Sequence, residues 1–147
     1  MTPKISLVFG ADHAGFALKE FLINEAMRLG FDRTDVTPEL IKGDDYPRAA
    51  FEVAEEVATD RSKIGILVCG TGHGMDVAAN RRKGVRAIVA RSVEDAQLAR
   101  EHNHANILVL GGWVTKPVLA KKILAAFLQA KPSKLARHIR RVRQLDQ

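Results

Sequence analysis

Ile64-Gly65-Ile66-Leu67-Val68-Cys69-Gly70-Thr71-Gly72-His73-Gly74-Met75 reads as a buried-type strand, then a glycine turn, then the start of a helix. A parallel α/β sheet presents reactive groups this way, at the carboxyl ends of its strands. Backbone N–H groups in such a turn, together with the following helix N-terminus, favour negative charge. That field would lower the Cys69 thiol pKa from about 8.5 toward neutrality. The competing reading is a small buried cysteine beside a tight turn.

The same alternation extends in both directions. Ile5–Phe9 is a short strand, followed by Gly10-Ala11-Asp12-His13-Ala14-Gly15. Phe16–Leu29 carries Leu18, Phe21, Leu22, Ala26 and Leu29 at helical spacing and stops at Gly30. Residues 31–37 suggest a weaker strand, Thr37–Pro47 a polar loop, and Arg48–Thr59 a helix with Ala50, Val53, Ala54 and Val57 inward. After Cys69, a helix is expected to about Arg82, then a strand over Val85–Val89. Ser92, with Asp95 three residues later, is an N-cap signal for a helix to about His102. Asn106–Leu110 is a fifth strand, and Thr115 with Pro117 opens a helix through Leu128. Residues 131–147 form a final basic helix with a narrow stripe of Leu135, Ile139, Val142 and Leu145. The expected architecture is a three-layer α/β/α sandwich. It has a Rossmann-like sheet of five parallel strands and spans residues 1–147 as one domain, with an extra C-terminal helix.

Composition bounds the function. The chain has 147 residues, 46% hydrophobic and 27% charged, a soluble globular balance. One cysteine excludes an intrachain disulfide framework and suits a reducing compartment, so a cytoplasmic location is expected. No charged leader segment and no apolar span long enough to cross a bilayer is seen. The net charge of +6 is uneven: Lys116–Gln147 carries nine Lys/Arg against Asp146 alone, and the remainder of the chain is slightly acidic. Such an end suits nucleic acid, an acidic membrane or a phosphorylated small molecule. Aromatics are 5% and none interleaves the terminal arginines, so stacking on nucleic acid is not expected, nor is membrane binding.

Several groups admit two readings. Asp12 can cap a turn or take part in chemistry. Asp45-Tyr46-Pro47 can be only a turn that opens a helix. Arg137 and Arg141, four apart, can be a solvated face or a phosphate clamp. The five histidines (His13, His73, His102, His104, His138) fit no zinc signature, and no metal is expected. Met75 stands where a dinucleotide fingerprint needs its third glycine. His102 precedes the fifth strand, which places it at the sheet edge opposite Cys69; a shared site then needs a long loop or a neighbouring molecule.

Read together, the motifs resemble those of ribose-5-phosphate isomerase B and its galactose-6-phosphate isomerase relatives. The matching stretches are Gly10–Gly15 with Leu18-Lys19, Asp45-Tyr46-Pro47, Cys69–Met75 with Ala78-Ala79-Asn80, Gly84-Val85-Arg86-Ala87, His102–Asn106, and Arg137-His138 with Arg141. They run in family order along nearly the whole chain. The resemblance implies a cofactor-free aldose–ketose isomerase, interconverting ribose 5-phosphate and ribulose 5-phosphate or a related sugar phosphate. It implies Cys69 as the base moving a proton between C2 and C1. Thr71 and the backbone of Gly70, Gly72 and Gly74 would steady the enediolate, and Asp12 and His102 would assist ring opening. Tyr46 and Asn103 would line the sugar, while His13, Arg137, His138 and Arg141 would surround the phosphate. It further implies a homodimer with shared sites, or a pair of such dimers. Some relatives carry glutamate at the position of Met75 and lack the cysteine; this chain resembles the cysteine-dependent branch. Gly111-Gly112-Trp113 stands where many members read Gly-Ser/Ala-Arg, which bears on the sugar rather than on the reaction. The alternatives are a non-catalytic phosphosugar-binding subunit, or an isomerase of another pentose, tetrose or hexose phosphate.

Overall fold

The computed structural model describes residues 4–147; Met1–Pro3, on which the expectation about a leader segment partly falls, lie outside the described residues. Five strands, β1 (Ser6–Ala11), β2 (Asp32–Asp35), β3 (Lys63–Cys69), β4 (Ala87–Val89) and β5 (Ile107–Gly111), form one sheet in the order β2-β1-β3-β5-β4. Every pairing is parallel. The alternation expected from the sequence is therefore present.

The side-chain period of two divides the strands between two faces. Leu7, Phe9, Ile66, Val68, Leu108 and Leu110 pack under α1 (Phe16–Arg28), α4 (Val93–Asn103) and α5 (Pro117–Gln129). Val8, Leu67, Cys69, Ile107 and Val109 pack under α2 (Tyr46–Thr59) and α3 (His73–Ala79). Each fully buried Leu or Phe contributes about 1.5–3 kcal/mol relative to exposure, so the two faces fix the sandwich. At Gly15, an added Cβ would lie 2.1 Å from the Val68 carbonyl oxygen. The helix following β1 starts hard against the end of β3, and only glycine permits that approach.

Several helix boundaries differ from expectation, among them that of the final helix, which begins at Ala136 rather than at 131. Helix α2 begins at Tyr46, two residues early, because Pro47 is compatible with the first turn. Helix α3 ends at Ala79 rather than near Arg82. Asn80 stops it: its side-chain amide donates to the Ala87 carbonyl and accepts from the Ala87 N–H, both at 2.9 Å, completing the edge of β4. The N-cap at Ser92 is present, with its hydroxyl accepting from the Asp95 N–H at 3.0 Å.

Helix α6 (Ala136–Leu145) lies on α4, and the expected stripe is buried only in part. Val142 and His138 are its buried residues, while Leu135 and Leu145 are exposed. Among the described residues, no helix is long and apolar enough to cross a membrane.

Candidate active site

Strand β3 delivers Cys69 to the carboxyl edge of the sheet, where the thiol is 4% exposed. The chain then turns through Gly70-Thr71-Gly72. Gly72 takes φ +90°, a left-handed conformation that disfavours any side chain, and its N–H donates to Cys69 Sγ at 3.2 Å. The His73 N–H donates to Thr71 Oγ1 at 3.3 Å, so the hydroxyl is held within the turn.

A cavity of about 200 Å³ opens over this turn, lined by Cys69, Thr71, Asp12, His13, Tyr46 and Trp113 with Gly70 and Gly74. Both glycines make room for rings: a Cβ at residue 70 would lie 2.7 Å from Trp113, and one at residue 74 would lie 2.5 Å from Tyr46. Neighbouring strand β5 brings Trp113 here, with the Gly112 N–H donating to the Cys69 carbonyl at 2.7 Å and the Trp113 N–H to the Gly70 carbonyl at 2.9 Å. Trp113 remains 72% exposed.

Asp12 caps the turn after β1, its Oδ1 accepting from the Gly15 N–H at 3.0 Å, so the capping reading holds locally. It also faces the cavity while only 7% exposed. Burial pushes its carboxyl above the ordinary range, against the pull of the Gly15 N–H and His13. A carboxyl raised in this way is suited to holding a proton near a substrate oxygen. Asp44 holds His13 from the loop before α2: its Oδ1 accepts from the His13 backbone N–H at 2.6 Å and meets Nδ1 at 3.1 Å. That hydrogen bond raises the imidazole's pKa and favours its cationic form.

The other half of the expected constellation lies elsewhere. His102 and Asn103 end α4 and precede β5, at the amino edge of the sheet, opposite Cys69. The His138 ring packs on His102 with centroids 4.5 Å apart, and Arg137 and Arg141 flank it on α6. His138 is 6% exposed and its Nδ1 has no partner among the described residues. Burial, joined by the charges of His102, Arg137 and Arg141, lowers its pKa. One chain therefore assembles Asp12, His13, Tyr46, Cys69 and Thr71 at one edge, and His102, Asn103, Arg137, His138 and Arg141 at the other. Among the described residues, no group of three or more His, Cys, Asp or Glu side chains is arranged to hold a metal.

Two contributors were missed in the sequence. Arg91, directly after β4, donates from Nη2 to the Thr71 carbonyl at 2.8 Å, bringing a cation to the turn. Its position at a strand's carboxyl end was the available signal. Asp44 gave none, because its partner lies 31 residues away.

A family model described as Ribose/Galactose Isomerase matches residues 7–145. The chain belongs to this family. It is 40% identical over 125 residues to ribose-5-phosphate isomerase B of Escherichia coli, covering 85% of this chain and 84% of that one. The ribose 5-phosphate isomerase structure from Thermotoga maritima superposes with a TM-score of 0.91 at 39% identity, over 97% of both chains. A ribose-5-phosphate isomerase B from Mycoplasma genitalium, solved with bound ribulose-5-phosphate, gives 0.91 at 36% identity, over 96% of this chain and 93% of that one.

Proposed function

We propose that this isomerase-family chain interconverts ribose 5-phosphate and ribulose 5-phosphate, with Cys69 as the base. The observation that carries this reading is the Gly72 N–H directed at Cys69 Sγ, at the floor of a cavity that Asp12, Tyr46 and Thr71 also line. The amide dipole directs partial positive charge at the sulfur that would take the substrate proton.

In the open-chain aldose, the Cys69 thiolate takes the C2 proton. The electron pair moves into a C1–C2 double bond, and negative charge develops on O1. The same thiol returns the proton to C1, while the proton of the O2 hydroxyl passes to O1, leaving a carbonyl at C2. Donors at the Gly70–Gly74 turn, with the Thr71 hydroxyl, would stabilise the enediolate oxygens, where preorganised hydrogen bonds act most strongly. Asp12 would hold the proton needed to open the furanose ring, and Tyr46 would flank the sugar.

The phosphate would be met by Arg137, His138 and Arg141 from a second copy of the chain, which also brings His102 and Asn103. The split of the constellation between two sheet edges supports a twofold dimer, in which each cavity is completed by its partner. His13 would join the phosphate from the Cys69 side. The association of two such dimers is not needed for this arrangement. A cytoplasmic setting fits the single reduced cysteine.

Purified protein should interconvert the two pentose phosphates without added cofactor. Cys69→Ser should lower kcat by about 10²–10⁴-fold, as loss of a general base does, with an unchanged circular dichroism spectrum. A fully active variant would sink the assignment. Trp113 favours a second reading at the level of substrate: an exposed indole in the cavity supports an isomerase for another phosphorylated sugar.

A further inference from the structure

Among the described residues, a concentration of positive charge surrounds a cavity away from the candidate active site. A cavity of about 640 Å³ opens at the amino edge of the sheet, where Arg61, Lys63, Arg86, Arg100 and Arg143 converge with His104. They come from four segments: the start of β3, the approach to β4, the end of α4, and α6. Asp146 is the carboxylate in the lining, and it is engaged by Arg86 Nη1 at 2.8 Å. Lys63 is paired with Glu56.

Arg100 is the unbalanced member. Its Nη1 donates to the Ala105 carbonyl at 2.7 Å and its guanidinium lies over Phe127, 5.4 Å from the ring centroid. No carboxylate reaches it among the described residues, and its Nε is buried without an acceptor. A buried guanidinium N–H with no acceptor is left with its desolvation uncompensated. Burial and the neighbouring Arg86 charge act in the same direction, disfavouring the cation. Cations brought together from separate segments repel one another unless an anion sits between them. Guanidinium groups match phosphate oxygens in geometry as well as charge.

We propose that this cavity is a second anion site, which binds the phosphate group of a small phosphorylated molecule between Arg100, Arg86 and Arg143. It is distinct from the Arg137–Arg141 face of α6, whose residues do not line it. Arg86 Nε also donates to the His104 carbonyl at 2.9 Å, two residues beyond His102, so an occupant would press on the segment that carries His102.

The test is isothermal titration of the full-length chain with inorganic phosphate and with pyrophosphate. Arg137→Gln/Arg141→Gln, which disables the other phosphate-binding face, should retain one class of site. Adding Arg100→Gln should weaken that class at least tenfold. Should Arg100→Gln fail to fold, Arg61→Gln/Arg143→Gln, at exposed positions, should weaken it severalfold. No binding to the Arg137→Gln/Arg141→Gln protein, or binding untouched by the cavity substitutions, overturns the proposal. Neither result depends on whether the chain isomerises a sugar.

Discussion

The Tyr46 ring occupies the space that a side chain on residue 74 would need: an added Cβ would sit 2.5 Å from Tyr46 Cζ. Helices α2 and α3 therefore meet at the cavity through a ring against bare backbone. Gly74→Ala should displace Tyr46 and cut kcat/KM by about 10–100-fold, the usual result of misplacing a substrate-positioning group by about 1 Å. Combining it with Tyr46→Ala should cost less than the sum of the two single changes, because the two positions share one contact. Additive losses in steady-state kinetics would show that the contact is irrelevant.

Mixing two inactive proteins provides a test of the shared site. The Cys69→Ala and His102→Ala proteins should each turn over at a small fraction of the parent rate if the proposed site is shared. After subunit exchange, a mixed dimer holds one complete site and one doubly damaged site, so activity should climb toward a quarter of the parent level. A mixture that stays as inactive as its components would place the whole site within one chain.

The Asp44–His13 contact sets a pH signature. Hydrogen bonding to Asp44 raises the His13 pKa above its unfolded value of about 6.5. Its contribution to stability is thus fully present below that value and is lost as pH rises through the higher folded one. Asp44→Asn should move the His13 ring titration, followed by NMR, to lower pH. It should also flatten the fall in stability above neutrality. An unmoved His13 titration would mean the contact does not persist in solution.

Trp113 rests on Gly70 and remains largely exposed at the cavity mouth. Trp113→Arg should change the order of preference across a panel of tetrose, pentose and hexose phosphates, chiefly through KM. The reaction type should remain the same. Equal KM values throughout the panel would assign the indole to packing alone.

Buried strands such as Ile64–Val68 were legible because a parallel sheet covered on both faces demands continuous apolar runs. Strand β2 was faint for the converse reason: Asp32-Arg33-Thr34-Asp35 is an edge strand held by pairing to β1, with little of its own surface buried. The end of α3 escaped notice because Asn80 answers to Ala87 across a turn, and no local propensity encodes that. The stripe on α6 was only a partial guide to burial: Val142 is buried, Leu135 and Leu145 are exposed, and His138, outside the stripe, packs on His102 of α4. Cys69 and Asp12 could be placed at one edge from strand polarity, whereas Tyr46 joined them only through the family resemblance. Trp113 could be placed beside Gly70 only once β5 was known to lie next to β3. The separation of His102 from Cys69 followed from chain direction alone, and the structure retains it.

Cys69 and His102 lie on opposite rims of a single sheet, so if both serve one site, an isolated chain holds two half-sites and no whole one. On the shared-site reading, turnover per molecule is then a function of protein concentration. It should decline on dilution once association fails, and substrate that bridges both rims should hold the pair together at concentrations where the free subunits drift apart.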